Sequence, residues 1–206
     1  MTASPSKTPH VSADEALQRL IDGNQRFLRG ESRFPTRWKD FLALLTSGQH
    51  PFATIIGCSD SRVPPELLFD AGFGELFVVR VAGNVVSPEV TGSMQYAGVH
   101  LHTPLFVVLG HEGCGAVQAA LAMKRQGVRE RSRIQILIDD MLPGLGDVDP
   151  QASPTLQLTH AVEANVRWSM RQLLEMPEAQ ARMAEGEMKL VGAVFDIASG
   201  SVSFLS

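Results

Sequence analysis

"LFVVLGHEGCGAVQAALAMKRQG", residues 105–127, runs from an unbroken apolar segment through a glycine-rich turn into a segment with helical spacing. The first part, "LFVVLG" (105–110), is short, rich in branched side chains and free of polar alternation, as a strand buried on both faces requires. The last part, "CGAVQAALAMKRQG" (114–127), is built from good helix formers and closes on basic residues before a glycine, a helix stop. A buried strand feeding a helix is one half of a βαβ unit.

The same alternation recurs on either side. "ATIIG" (53–57) and "ELFVVRVAG" (75–83) read as further buried strands, and "EVTGSMQYAGVHL" (89–101) as a helix following Pro88. "TLQLTHAVEANVRWSMRQLLE" (155–175) is a long helix, and "RIQILIDDMLPGL" (133–145), ambiguous by periodicity, leans towards helix. "LVGAVFDIASGSVSFL" (190–205) holds two β-rich runs around "ASG", a hairpin signal. Near the start, Ser12 with Glu15 reads as a capping box. Leu17, Leu20, Ile21, Phe27 and Leu28 continue it as an amphipathic helix ending near Gly30. A further helix is expected around "WKDFLALLTSG" (38–48), between Pro35 and Pro51. The expected fold is α/β: a mainly parallel central β-sheet flanked by helices, with a C-terminal antiparallel hairpin strand and an N-terminal helical arm. One domain is expected over residues 1–206, with residues 1–11 as a mobile arm.

Composition narrows the functions. The 44% hydrophobic and 19% charged fractions are those of an ordinary globular chain. A net charge of -4 and the absence of a basic face argue against nucleic acid; the one basic cluster, "KRQGVRERSR" (124–133), reads as a solvated helix end and loop. No apolar run approaches the roughly 20 residues needed to span a bilayer, so no membrane partner is expected. The first dozen residues, "MTASPSKTPHVS", carry no apolar leader segment, which points to the cytoplasm and reduced thiols.

Both of the chain's cysteines fall at expected strand ends. "GCSDSR" (57–62) follows the run at 53–57, and "GHEGCG" (110–115) follows the run at 105–109. In open α/β sheets, ligands bind outside those carboxyl ends. His111-x-x-Cys114 puts an imidazole at the strand end and a thiol at the helix start, where the helix dipole favours thiolate. Gly110, Gly113 and Gly115 free the backbone to aim both side chains at one point. Cys58, His111 and Cys114 make a three-ligand set known from catalytic zinc sites, with Asp60 as a fourth neighbour. Against this stand plain burial of the cysteines, a satisfied core histidine and a thiol redox pair. No C-x-x-C is present to favour the last.

The motifs "CSDSRVPPE" (58–66), "GELFVVRVAGN" (74–84), "SMQYAG" (93–98) and "GHEGCGAV" (110–117) resemble those of the β-class carbonic anhydrases. Weaker agreement extends to "LIDGNQRF" (20–27) and "GAVFDIASGSVSF" (192–204). The resemblance implies reversible hydration of carbon dioxide to bicarbonate and a proton, by attack of zinc-bound hydroxide on CO2. It implies one Zn2+ per chain held by Cys58, His111 and Cys114, with Asp60 and Arg62 as the catalytic pair and Asp60 able to take the fourth zinc position. Gln49, Phe77 and Tyr96 would line the substrate pocket, the two aromatics coming from a neighbouring subunit of a homodimer or homotetramer. Core packing for Phe77, a helix-face contact for Tyr96 and a surface salt bridge for Asp60–Arg62 are the plainer readings. Ala82 stands where some members carry valine. Ile55 replaces the tryptophan of an inhibitory bicarbonate site, so that regulation is not expected. Hydrolysis of carbonyl sulfide or carbon disulfide is the nearest alternative chemistry, and the full C-S-D-S-R-V motif favours the anhydrase.

Overall fold

The computed structural model describes residues 11–33, 45–46, 48–147 and 149–205. Five strands form one sheet in the order β2-β1-β3-β4-β5. They are β1 (Ala53–Gly57), β2 (Leu76–Arg80), β3 (Leu105–His111), β4 (Lys189–Phe195) and β5 (Val202–Leu205). The first four run parallel and β5 pairs antiparallel with β4, so the α/β fold expected from the sequence is the one found.

β1 and β3 are buried at every position, because helices cover both faces of a parallel sheet. Alternate side chains supply each face. Ile55, Val107 and Leu109 pack with Ala16 and Leu20 of α1 (Ala13–Arg29). Ile56, Phe106 and Val108 pack on the other face. There they meet Met94 and Ala97 of α3 (Pro88–Val99) and Val166 and Leu173 of α6 (Pro154–Leu174). A third cluster joins α4 (Gly115–Gln126), α5 (Ile134–Met141) and α6 around Cys58 and Cys114.

The chain from β1 crosses to β2 on one side, and the chain from β3 crosses to β4 on the other. The carboxyl ends of β1 and β3 therefore flank the point where the winding reverses, where such sheets hold ligands.

Several local expectations sharpen. α1 begins on Ser12, whose hydroxyl accepts the Glu15 N–H at 3.1 Å, and ends on Gly30 in the left-handed conformation. β2 stops at Arg80 rather than near 83, because the chain turns through a 3-10 turn at Ala82–Asn84. β3 runs one residue further than expected, so His111 is its last paired residue, opposite Phe195. The segment 133–145 is helical, as α5 followed by a 3-10 turn at Leu142–Gly144. Two helices carried no assignment from the sequence: α2 (Pro65–Leu68) and α7 (Pro177–Ala184). The helix expected over 38–48 lies largely outside the described residues, as does the arm before Val11; Val11 itself packs partly buried against the core. Among the described residues no helix is long and apolar enough to cross a membrane.

Gly110 marks where α6 presses closest to the sheet. A Cβ there would lie 2.5 Å from Val166 Cγ2, a short branched side chain with little room to yield. Gly110→Ala is expected to cost about 1–3 kcal/mol of stability, read as a lowered urea midpoint at unchanged slope.

Candidate metal centre

Cys58 follows β1 directly, His111 ends β3, and Cys114 is the N-cap of α4. One sulfur or nitrogen donor from each lies within 4.8 Å of the others. All three side chains are buried, and the two Sγ atoms are 3.9 Å apart.

The His111 ring is oriented from behind. Its Nδ1 lies 2.9 Å from the Glu112 carbonyl oxygen, so Nδ1–H donates there and the neutral tautomer leaves a bare lone pair on Nε2. Nε2 is buried and has no hydrogen-bond partner among the described residues. A buried nitrogen lone pair without a donor, aimed at two thiols, is an unmet acceptor that a cation satisfies.

Charge in the triangle is shared. The Cys58 thiol is pushed down, chiefly because Cys114 donates its S–H to it, with His111 and the Gly83 N–H adding to this against the effect of burial. Cys114 is pushed up, because it keeps the shared proton and is buried; the N–H groups of Ala116 and Val117 at the start of α4 work the other way. Burial disfavours the His111 imidazolium, but the Cys58 sulfur, the Glu112 carbonyl and Asp60 outweigh it and raise the ring's pKa. Two thiols and one imidazole at this spacing suit zinc, whose soft and borderline ligands these are.

Asp60 and Arg62 lie beside the triangle on a tight turn closed by the Val63 N–H on the Asp60 carbonyl, 3.0 Å. An extended segment would put both side chains on one side by alternation. Here Asp60 Oδ1 instead accepts the Arg62 backbone N–H at 3.0 Å, an Asx turn that folds the guanidinium back onto the carboxylate. Arg62 then donates Nε to Oδ1 at 2.9 Å and Nη2 to Oδ2 at 2.7 Å, a two-pronged pair. Asp60 Oδ2 is 3.8 Å from His111 Nε2, yet the three-donor group does not include it.

The residues carried over as pocket lining are placed as follows within this chain. Gln49 is exposed and precedes the start of β1, whereas Cys58 leaves its far end. Phe77 of β2 stands opposite Thr54, four residues or roughly 13 Å along the strand from Cys58. Its ring stacks tilted on Tyr96 of α3, centroids 6.2 Å apart.

Two contributors escaped the sequence reading. Arg80, at the end of β2, donates Nε to the Cys58 carbonyl at 2.9 Å and Nη2 to the Asp60 carbonyl at 2.5 Å, bracing the turn that carries both. The Gly83 N–H points at Cys58 Sγ from 3.4 Å. The available signal was an arginine ending an otherwise apolar strand, directly before a glycine-containing turn.

A sequence model described as carbonic anhydrase matches residues 53–202. The carbonic anhydrase of Mycolicibacterium smegmatis is 36% identical over 206 residues, covering 96% of this chain and 96% of its own. Carbonic anhydrase 2 of Mycobacterium tuberculosis is 36% identical over 195 residues, covering 93% and 92%. Among solved structures, the β-carbonic anhydrase CcaA superposes with a TM-score of 0.74 at 28% identity, over 92% of this chain and 95% of its own.

Arg62 is the first cause of the low Asp60 pKa, which lies well below the usual carboxylate range. A carboxyl depressed in the fold contributes stability above its unfolded value of about 3.9, and the contribution is lost as pH falls through the folded value. In Arg62→Gln, Asp60 is expected to titrate close to that unfolded value, as followed by side-chain carboxyl 13C shifts. An unmoved titration would transfer the effect to the turn's backbone N–H.

Proposed function

The chain belongs to the β-carbonic anhydrase family, and from that premise we propose that it catalyses the reversible hydration of carbon dioxide to bicarbonate and a proton, using one zinc ion held by Cys58, His111 and Cys114. The observation that carries the proposal is the buried triangle of two thiols and an imidazole whose Nε2 has no partner. A zinc ion bound there supplies a water acidic enough to attack carbon dioxide near neutral pH.

The side chains do the rest. Cys58 and Cys114, as thiolates, offset the charge of the ion, so acidification is weaker than an all-histidine set would give. Asp60, kept ionised by Arg62, accepts a hydrogen bond from the attacking water and so turns an oxygen lone pair towards the carbon. Arg62 fixes the direction of that carboxylate through its two-pronged bond. If Arg62 released it, Asp60, whose Oδ2 is 3.8 Å from His111 Nε2, would be the side chain at hand to hold the ion in place of water.

Gln49, Phe77 and Tyr96 are proposed to line the slot for carbon dioxide, the two aromatics reaching the site of a second copy in a homodimer or homotetramer. Supporting this, Phe77 and Tyr96 form one aromatic patch on the edge of the sheet, away from their own chain's triangle. Both cysteines are free, in keeping with the reducing cytoplasm.

Stopped-flow hydration of carbon dioxide tests the reading directly. Turnover is expected to disappear with a strong chelator and return with zinc, and Cys58→Ala and His111→Ala are expected to lose metal and activity together. Zinc far below stoichiometric with turnover intact would defeat the proposal. Asp60→Asn is expected to keep zinc but lose turnover by about 10²-fold, the cost of a misoriented reactant.

The pH dependence follows from the same donors. Activity is expected to rise with pH between about 7 and about 9, the limits set by a strongly and a weakly acidified zinc water. Zinc affinity is expected to rise with pH as well, because binding displaces protons from Cys114 and His111, whose pKa values are both raised. Chelator competition at two pH values reads this separately from turnover.

A further inference from the structure

Asn165 sits at 1% exposure among the buried residues of α6. Its Nδ2 donates to the Gly83 carbonyl at 2.8 Å, and its Oδ1 is buried with no partner among the described residues. A half-satisfied buried amide leaves an acceptor without a donor, a cost that an apolar residue packed on the sheet does not carry. Such departures from good packing concentrate where function requires them.

The segment that Asn165 holds leads to the metal centre. Gly83 has φ 71° and ψ 17°, in the left-handed region. A Cβ on it would lie 2.6 Å from Met141 Sδ and 3.2 Å from Ala116 Cβ. In this conformation its N–H is directed at Cys58 Sγ, 3.4 Å away. One helical turn beyond Asn165, Ser169 Oγ donates to the Asn84 carbonyl at 3.0 Å, so α6 grips consecutive carbonyls of the turn Ala82–Asn84. The hydrophobic clusters of the sheet explain the apolar positions of α6 but not these two polar ones.

We propose that Asn165 is a positioning residue for the metal centre: by anchoring the Gly83 carbonyl it fixes the N–H that donates to the Cys58 sulfur. The inference rests on the zinc reading above. An N–H donor on a ligating sulfur orients it and draws off part of its charge, which sets both how firmly the ion is held and how strongly sulfur donates to it. Asn165 touches neither metal nor substrate and acts only through Gly83.

The experiment starts with the zinc affinity of the wild-type chain, measured by competition with a chromophoric chelator. A wild type that takes up no zinc overturns both readings. Given a zinc site, Asn165→Leu is expected to bind zinc about 10–100-fold more weakly. In the cobalt-substituted protein the same change is expected to shift the sulfur-to-metal charge-transfer band. Thr103→Val serves as comparison: it breaks the buried Thr54–Thr103 hydroxyl pair (2.9 Å) at the opposite end of the strands and should leave both metal readouts unchanged. Should the leucine variant not fold, Asn165→Ala is read the same way. Wild-type affinity with an unmoved band in the Asn165 variant overturns the proposal. An equal loss of affinity in Thr103→Val overturns it too, by reducing it to a general effect of stability.

Discussion

The site depends on one pairing, that of β1 with β3 in the register that sets Gly57 opposite Leu109. Parallel strands deliver their carboxyl ends to the same side, so this register brings Cys58 and His111 out of the sheet beside each other. The same register sends Ile55 and Val107 to one helical layer and Ile56 and Val108 to the other. A slip by a single residue would reverse every one of those side chains and move Cys58 by about 3.3 Å relative to His111. Metal sites tolerate deviations of about 0.2 Å. Core packing and ligand geometry are thus specified by a single alignment, and a sequence that satisfies the first obtains the second.

Burying three ionisable groups at those strand ends has a cost that the surroundings offset only in part. Burial opposes charge on all of them. The Gly83 N–H on Cys58, the Glu112 carbonyl on His111 and the N–H groups at the start of α4 on Cys114 are each directed at one member. His111 Nε2 is left unsatisfied among them. The neighbouring Asp60–Arg62 pair obeys different rules, since Arg62 is largely exposed and exposed ion pairs contribute little to stability. Its value lies in direction: three hydrogen bonds from one arginine, backbone and side chain together, leave the carboxylate a single orientation. The three donors are set in the core, while the carboxylate rides on a turn at the surface.

The sequence made the fold legible where the pattern was strong. Short apolar runs at 53–57 and 105–110 read as doubly covered strands, and the scarcity of cysteine made Cys58 and Cys114 conspicuous at their ends. It was less informative where a conformation depends on distant partners. The end of β2 could not be read from "VVRVAGN", because the turn there is held by Asn165 and Ser169 on a helix some eighty residues later. Asn24 is comparable: on the apolar stripe of α1 it donates to the Leu68 and Gly200 carbonyls and accepts the Val202 N–H, joining three segments far apart in the chain. Buried polar residues on apolar helix faces were the available sign in both cases, and periodicity counts them as interruptions. The geometry of Asp60 and Arg62 lay outside the periodicity, since an Asx turn, not strand alternation, brings them together.

β2 presents the remaining problem. It is an edge of the described sheet, with half-buried apolar side chains and a row of backbone groups facing outward. Phe73, Tyr96 and Val99 are each about half exposed. An edge of this kind invites pairing and is normally covered or blunted by charge. Arg80 is the only charged residue on the strand, and it is turned inward to brace the Cys58 turn. Under the proposed function the same surface carries Phe77 and Tyr96, which the register holds roughly 13 Å along the strand from their own chain's ligand end. A second copy covering this edge would remove the exposed apolar surface and bring an aromatic wall to each triangle. One contact between copies would then answer both a requirement of stability and a requirement of the chemistry.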